Sequence, residues 1–319
     1  MARDPADELP RWSGRMTDLE EGEQRSLSDS MLPNGRPRIE IAEALRNNWF
    51  EIWYQPKIDL KRKCLAGAEA LARIRHPALG VLLPGSFLPC ASEEGTMLLA
   101  EHALLSTLRS WSTFDAAGFN LHLAINVPVS VLLKLPIPAL VRENRPKADH
   151  WPGIILEVTE DQIVRDIKQA HDIATQLRVS GITISIDDFG AGYSSFSSLR
   201  DLPFAEIKLD SSFVRNCATD ATNAAICQTA IDLAHRFGSA AVAEGIEAAV
   251  DLQALQVMGC DFGQGVLIAP PMPQERFLGL LRQRLNKPAT PSAAAAEALA
   301  VAADASDISC MPMAAGSRG

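Results

Sequence analysis

Apolar, β-rich runs alternate with helical patterns through the central part of the chain. The strand-like runs are FEIWYQPKIDL, CLAGAEALARI, LHLAINV, GIILEVTE, ITISIDD, AEIKLD, AAVAEGIE and CDFGQGVLI. Short runs of this kind, rich in β-branched residues, are typical of strands. Between the later runs, apolar residues recur every three or four positions, which predicts helices over residues 162–181, 223–238 and 248–259. Each of these helices ends at a glycine, a common stop signal.

The alternation of strands and helices predicts the fold class. Strand and helix alternate over about 250 residues, the usual size of a (β/α)8 barrel. We therefore expect an α/β protein with a barrel of this type over residues 38–284. Residues 1–37 are polar and lack periodicity, which predicts a flexible leader. Residues 285–319 are alanine-rich and low in complexity, which predicts a tail.

One polar residue lies within or directly after each of seven strand-like runs. These residues are Glu69, Asn126, Glu157, Asp187, Lys208, Glu244 and Gln264. After a first gap of 57 residues, they follow one another at intervals of 20 to 36 residues, close to one strand-plus-helix unit. Because the carboxyl ends of barrel strands meet on one face, we expect these side chains to converge there.

Each member of this set also has a purely structural interpretation. Asp187 and Asp188 lead into a glycine-rich loop, and Asp and Gly are ordinary turn residues. Lys208 is compatible with a strand-end lysine whose stem is buried, and Gln264 with a loop amide. Seven such coincidences are much harder to explain by local structure than one, so the set as a whole indicates a functional site.

The residue types indicate which chemistry such a site would support. The acidic and amide members are hard oxygen donors, with no Cys or His among them, which favours Mg²⁺ or Mn²⁺ over Zn²⁺. So many carboxylates repel one another unless cations or protons neutralise them. Two divalent ions that share an aspartate and activate a water for attack on phosphorus would fit this pattern. Lys208 would then orient that water or stabilise charge on the phosphoryl group.

Composition excludes several other classes of function. The chain carries 30 basic and 39 acidic residues, a net charge of -9, so a broad basic surface for duplex nucleic acid is not expected. No run of about 18 apolar residues occurs, so we expect no membrane insertion. The six cysteines are dispersed without zinc-site spacing, which fits a reducing cytoplasm.

The motifs that carry these residues resemble, in order and spacing, those of the EAL-domain cyclic-di-GMP phosphodiesterases. They are EALAR (Glu69–Arg73), the Asn126-Val pair, EVTE (Glu157–Glu160), DDFGAGYSS (Asp187–Ser195), KLD (Lys208–Asp210), AEGIE (Ala243–Glu247) and QG (Gln264–Gly265). The resemblance covers residues 38–284 and implies a modified TIM barrel with one antiparallel strand. It also implies a bacterial enzyme that uses two Mg²⁺ or Mn²⁺ ions to hydrolyse cyclic di-GMP to linear pGpG, and that works as a homodimer.

The resemblance assigns a role to individual positions of this chain. The implied metal ligands are Glu69, Asn126, Glu157, Asp187, Asp188 and Glu244. The implied catalytic residues are Glu69, Lys208, Glu244 and Gln264. The implied substrate contacts are Gln55, Arg73 and Asp210. The implied loop and regulatory residues, which couple dimer contacts to metal binding, are Glu160, Phe189, Gly190, Tyr193, Ser194 and Glu247.

Three stretches depart from the usual pattern, and two alternative functions stay open. The departures are NVPVS after the asparagine, CASEEGTM at residues 90–97, and Val266 after QG. None removes a ligand, so they bear on substrate fit and regulation. One alternative is a catalytically silent EAL module that binds cyclic di-GMP or a protein partner. Such modules usually lack a ligand or the lysine, and this chain has them all. The other is a sugar-phosphate enzyme on an ordinary barrel, which does not predict this ligand set.

Overall fold

The computed structural model describes residues 39–165, 167–190 and 203–285. The strands in these ranges are β1 (Phe50–Asp59), β2 (Cys64–His76), β3 (Gly80–Leu82), β4 (His122–Asn126), β5 (Ile154–Thr159), β6 (Ile182–Phe189), β7 (Glu206–Leu209), β8 (Ala240–Ala243), β9 (Phe262–Gly263) and β10 (Met272–Pro273).

The helices lie mainly between the strands in sequence. They are α1 (Ile41–Arg46), α2 (Glu93–Ala116), α3 (Val129–Leu132), α4 (Ile137–Asn144), α5 (Glu160–Arg165), α6 (Ile167–Val179), α7 (Ser211–Val214), α8 (Ala221–Arg236), α9 (Ala249–Met258) and α10 (Gln274–Leu285). Two short 3-10 helices cover Pro84–Ser86 and Leu88–Cys90. None of the helices in the described ranges is long and apolar enough to cross a membrane.

Eight strands close into a barrel in the order β1, β2, β4, β5, β6, β7, β8, β9 and back to β1. Strand β1 runs antiparallel to both of its barrel neighbours, β2 and β9. The other neighbouring pairs in the barrel are parallel. Strand β3 extends the sheet beside β2, and β10 pairs with β1. The predicted modified TIM barrel with one antiparallel strand is therefore confirmed.

Strict alternation along the strands places the polar residues inside the barrel. On β2, Ala68 and Ala70 belong to the apolar core that packs under the helices, so Glu69 between them faces the barrel axis. Glu157 on β5 lies between two residues of the same apolar core and also faces the barrel axis. Lys208 on β7 is flanked by core residues in the same way and faces the axis too. Burial of the apolar neighbours therefore fixes the direction of the polar ones.

The helical layer packs around the outside of this barrel. Tyr54 on β1 meets the ring of Phe114 edge-on, with 5.0 Å between centroids, and also contacts Phe277 on α10. Both phenylalanines are fully buried. Each fully buried side chain of this kind contributes about 1.5–3 kcal/mol to folding. Helices and strands are thus joined by one continuous apolar core.

The predicted helix over residues 162–181 is matched by α5 and α6, with residue 166 between them outside the described residues. Other observed elements differ from the predicted ones. The strand-like runs at residues 240–247 and 260–268 yield only the short strands β8 and β9, because the chain turns off the sheet directly after each. Helix α2 was not predicted, although Ser92 accepts a hydrogen bond from Gly95 N at its start and Glu93 lies in its first turn, two signals of a helix N-terminus.

Candidate active site

The seven polar residues come together at the carboxyl ends of the parallel strands. Asn126 and Glu157 are register partners on β4 and β5, and Asp187 pairs with Thr159 at the end of β6. Glu244 and Gln264 follow directly after β8 and β9. The convergence expected from their spacing is therefore present in the structure, at the face where barrel enzymes keep their chemistry.

Lys208 lies at the centre of the site and is surrounded by carboxylates. Its Nζ lies 2.5 Å from Glu244 Oε1, 2.7 Å from Glu157 Oε2, 3.1 Å from Asp187 Oδ1 and 3.7 Å from Glu69 Oε2. The lysine side chain is only 1% exposed. We call the four acidic residues the carboxylate cluster. One buried ammonium therefore neutralises part of a concentrated negative charge.

Two amides complete the hydrogen bonding of the carboxylate cluster. Asn126 Nδ2 donates to Glu69 Oε1 at 2.7 Å. Gln264 Nε2 donates to Glu69 Oε2 at 2.6 Å and to Glu244 Oε1 at 2.9 Å. Both oxygens of the Glu69 carboxylate are thus held by side-chain amides, which fixes its plane within the site.

The members of the carboxylate cluster differ in their tendency to hold a proton. Burial, with the charge of Glu69 beside it, raises the pKa of Glu157 well above its usual value. Burial raises the pKa of Glu244 to about 8. Burial also acts on Glu69, but the charge of Lys208 and the two amide hydrogen bonds hold its pKa below the usual value. Lys208 keeps its proton because the surrounding carboxylates outweigh burial and raise its pKa. Without further cations, the site retains protons on some of its carboxyl groups.

Three carboxylates at the open side of the site are spaced for a cation. Oxygen atoms of Asp187, Asp188 and Glu244 lie within 4.8 Å of one another. The all-oxygen donor set fits a hard divalent cation. Asp188 has a φ of 54°, uncommon for a residue other than glycine, and its amide donates to Asp187 Oδ1 at 3.0 Å. Burial and the charge of Asp187 raise the pKa of Asp188. The strained backbone brings the second aspartate to the same side as the first.

A cleft of about 290 Å³ opens above these groups. Gln55 and Glu247 are on its wall with Glu69, Asp187, Lys208, Glu244 and Gln264. Ser211 and Arg215 also line the cleft, and the sequence analysis did not identify them. Ser211 begins the short helix α7 and Arg215 directly follows it, so the two lie one helical turn apart. Their position just after the KLD motif is the sequence signal that could have identified them.

A glycine permits the close approach of two segments at the cleft. Gly245, next to Glu244, has a φ of 62°. A Cβ at this position would lie 2.5 Å from Cβ of Ser211. A larger residue would therefore displace the start of α7, which carries one wall of the cleft.

Arg73 and Asp210 are not among the described residues that line the cleft. Arg73 is 7% exposed, donates from Nη1 to the carbonyl of Ala72 at 2.8 Å and lies 5.7 Å from the centre of the Trp53 ring. Asp210 caps α7 by accepting from Ser212 N at 2.9 Å. Their roles as substrate contacts stay predictions.

The end of β6 lies next to a buried carboxylate. Glu160, 3% exposed at the start of α5, accepts from Gly190 N at 2.9 Å. Gly190 has a φ of 98°, and Phe189 before it packs on the core. Tyr193 and Ser194, the other predicted loop residues, lie outside the described residues. The regulatory role implied for Glu160, Phe189 and Gly190 stays a prediction.

Known proteins are similar to this chain in sequence and in fold. The family model described as "EAL domain" matches residues 38–271. A cyclic di-GMP phosphodiesterase of Pseudomonas aeruginosa is 35% identical over 284 residues, covering 88% of this chain and 47% of the relative. The cyclic di-GMP phosphodiesterase RocR of the same organism is 34% identical and covers 85% of this chain and 68% of its own length. The chain thus spans about half the length of the first of these relatives.

A solved structure gives the same result for the fold. The PaMucR phosphodiesterase, in complex with c-di-GMP, superimposes with a TM-score of 0.69 at 34% identity, covering 74% of this chain and 96% of that one. The matched region includes the residues of the carboxylate cluster, both amides and Lys208, since all lie within residues 38–271. The chain belongs to the EAL domain family.

Proposed function

We propose that this protein is a metal-dependent phosphodiesterase that hydrolyses cyclic di-GMP to linear pGpG. The observation that carries the proposal is the group of Asp187, Asp188 and Glu244 at the mouth of a cleft, beside a lysine held by four carboxylates. The names of the relatives and the ligand of the PaMucR structure support cyclic di-GMP as the substrate.

The proposed cofactor is a pair of Mg²⁺ or Mn²⁺ ions. Asp187, Asp188 and Glu244 would hold one ion between them, and Glu69, Asn126 and Glu157 are the further ligands that the family pattern implies. Bound there, the metal would supply positive charge for a phosphodiester and lower the pKa of a water. The oxygen-only donor set is the feature of this structure that fits such ions.

The chain's own residues have roles that do not depend on the metal. Lys208 places a fixed positive charge next to the reacting phosphate, where the cleft is walled by carboxylates. Gln264 holds Glu69 and Glu244 at a constant separation through its single amide group. A preorganised site of this kind needs little rearrangement when substrate arrives.

Turnover distinguishes the enzyme from a silent receptor. Protein is mixed with a large molar excess of cyclic di-GMP and Mn²⁺, and the remaining substrate is measured over time. The proposal predicts loss of many equivalents of substrate per protein. Saturable binding of one equivalent with no loss would identify a receptor instead.

Metal binding is expected to release protons. The pKa of Glu244 is raised to about 8, and the pKa values of Glu157 and Asp188 are also raised. Glu244 therefore holds a proton near neutral pH in the metal-free protein, and a cation must displace it. We expect the apparent affinity for Mn²⁺ to increase up to about tenfold per pH unit below pH ~8 and then to level off.

Calorimetry in buffers of different ionisation enthalpy measures this release. A Glu244→Gln variant removes one titrating group and is expected to release fewer protons. An affinity for Mn²⁺ that does not change with pH would contradict the prediction.

We also propose that residues 38–284 form the catalytic domain, that segments 1–37 and 285–319 flank it, that the protein is cytoplasmic, and that it acts as a homodimer. Light scattering at several protein concentrations tests the last of these proposals directly.

A further inference from the structure

A second charged pair lies on the wall of the cleft. Arg215 Nη2 is 2.6 Å from Glu247 Oε1, and the two side chains are 55% and 48% exposed. Among the described residues that line the cleft, Lys208 and Arg215 carry positive charge. Lys208 is buried and already in contact with four carboxylates. Arg215 is therefore the cation on this wall that is accessible to an incoming anion.

Side chains from two helices fix the backbone on both sides of Arg215. Asn223 on α8 donates from Nδ2 to the carbonyl oxygens of Arg215, at 2.8 Å, and Ser212, at 3.3 Å. The buried carboxylate of Asp251 on α9 accepts from the amide of Asn216 at 3.1 Å. The same carboxylate also accepts from the amide of Ala218 at 3.0 Å. Asn216 itself has a φ of 60°, a conformation that needs such support. Arg215 thus lies on a turn whose backbone is held in place by side-chain hydrogen bonds.

The charges of a cyclic dinucleotide favour a contact with such a cation. The ligand carries two phosphodiester groups, each with one negative charge. The proposed function places one of them at Asp187, Asp188 and Glu244. A second phosphodiester that lies along the same cleft meets Glu244 and Glu247, which also line it, and therefore meets further negative charge. An exposed ion pair such as Arg215–Glu247 is weak, whereas an arginine binds phosphate through two parallel hydrogen bonds.

We propose that Arg215 binds the phosphodiester that is not cleaved, exchanging Glu247 for the phosphate when substrate enters. This inference rests on the proposed function and extends it by naming a residue that selects a substrate with two phosphates. Arg73, the arginine implied by the family pattern, is 7% exposed and is not among the residues that line the cleft. Arg215 is thus assigned a contact that the family motifs do not mark.

The test compares two substrates and three variants in Mn²⁺. Cyclic di-GMP has two phosphodiesters, and bis(p-nitrophenyl) phosphate has one. Arg215→Ala is expected to raise KM for cyclic di-GMP about 10- to 100-fold, as for loss of a charged hydrogen bond, with a smaller change in kcat. The ratio of kcat/KM for cyclic di-GMP to that for the single diester should fall at least about tenfold. Arg215→Lys, which keeps the charge, should recover part of this ratio.

Arg75→Ala is the matched control. Arg75 is 53% exposed and also pairs with a glutamate, Glu51, through Nη2 at 2.9 Å, but it lies away from the cleft wall. Its replacement should leave the kinetics of both substrates within about twofold of the wild type, as expected for a surface ion pair.

Each other result overturns the proposal in a recognisable way. Equal losses of kcat/KM for both substrates would mean that Arg215 stabilises the fold or contacts the phosphate that is cleaved. Unchanged KM for cyclic di-GMP in Arg215→Ala would remove Arg215 from binding while the proposed function stands. A wild-type protein that cleaves the single diester but neither cleaves nor binds cyclic di-GMP would refute both proposals. If the wild type binds cyclic di-GMP without turnover, the Kd for cyclic di-GMP in Ca²⁺ is compared between the wild type and the same variants in place of KM.

Discussion

Glu69→Ala is expected to lower kcat/KM for cyclic di-GMP by about 100- to 1,000-fold, the usual effect of removing one preorganised polar group from a reacting centre. Glu69 is held by Asn126 and Gln264, so its loss frees both amides and opens the site. The fold should persist, because Lys208 keeps three carboxylate partners. Initial rates in Mn²⁺ and thermal unfolding measure the two properties separately.

The control for this variant is an exposed glutamate. Glu94→Ala changes a residue of the same type in the first turn of α2, and should leave turnover unchanged. Unchanged turnover in Glu69→Ala would show that Glu69 is not part of the reacting site. A loss of turnover that tracks a loss of fold would assign it a structural role.

Lys208→Met is expected to destabilise the metal-free protein by about 3–5 kcal/mol at pH ~8, in addition to stopping turnover, because it leaves buried carboxylates without their cation. The sign of the pH dependence follows from the neighbouring carboxyl groups. The pKa of Glu244, like that of Glu157, is raised in the folded protein, so these groups stabilise it while protonated and lose that contribution as pH rises through the folded value. The loss in the free energy of unfolding that Lys208→Met causes should therefore be smaller at pH ~5 than at pH ~8.

Urea unfolding in EDTA at the two pH values measures this effect. Lys134→Met is a matched control, since Lys134 is 52% exposed and pairs with Glu93 on the surface. It should change the free energy of unfolding by no more than about 1 kcal/mol. Addition of Mn²⁺ should restore part of the stability of Lys208→Met. Identical unfolding of Lys208→Met and wild type at pH ~8 would contradict the account of the site.

The sequence was sufficient to predict the barrel and the convergence of its polar residues. Both follow from the two-residue period of strands, since apolar neighbours such as Ala68 and Ala70 can be buried only if Glu69 faces the axis. The one antiparallel strand came from the family resemblance. Spacing alone does not give strand direction when two strand-like runs are adjacent, as β1 and β2 are.

Contacts across the barrel could not be predicted in the same way. Lys208 was expected to face a water or a phosphate, and the structure shows it held by carboxylates up to 139 residues away along the chain. Arg73 shares a strand face with Glu69, and four residues of strand place their backbones about 13 Å apart, so spacing alone does not show which groups the guanidinium contacts. Arg215 stands on a turn braced by Asn223 and Asp251, and no periodicity marks such a position.

Product analysis of the wild-type protein tests the central claim most directly. Purified protein is incubated with cyclic di-GMP and Mn²⁺, with and without EDTA, and the products are separated by ion-pair chromatography. The account predicts linear pGpG with Mn²⁺ and none with EDTA. Formation of pGpG in EDTA, or no product in Mn²⁺ from a protein that binds cyclic di-GMP, would contradict it.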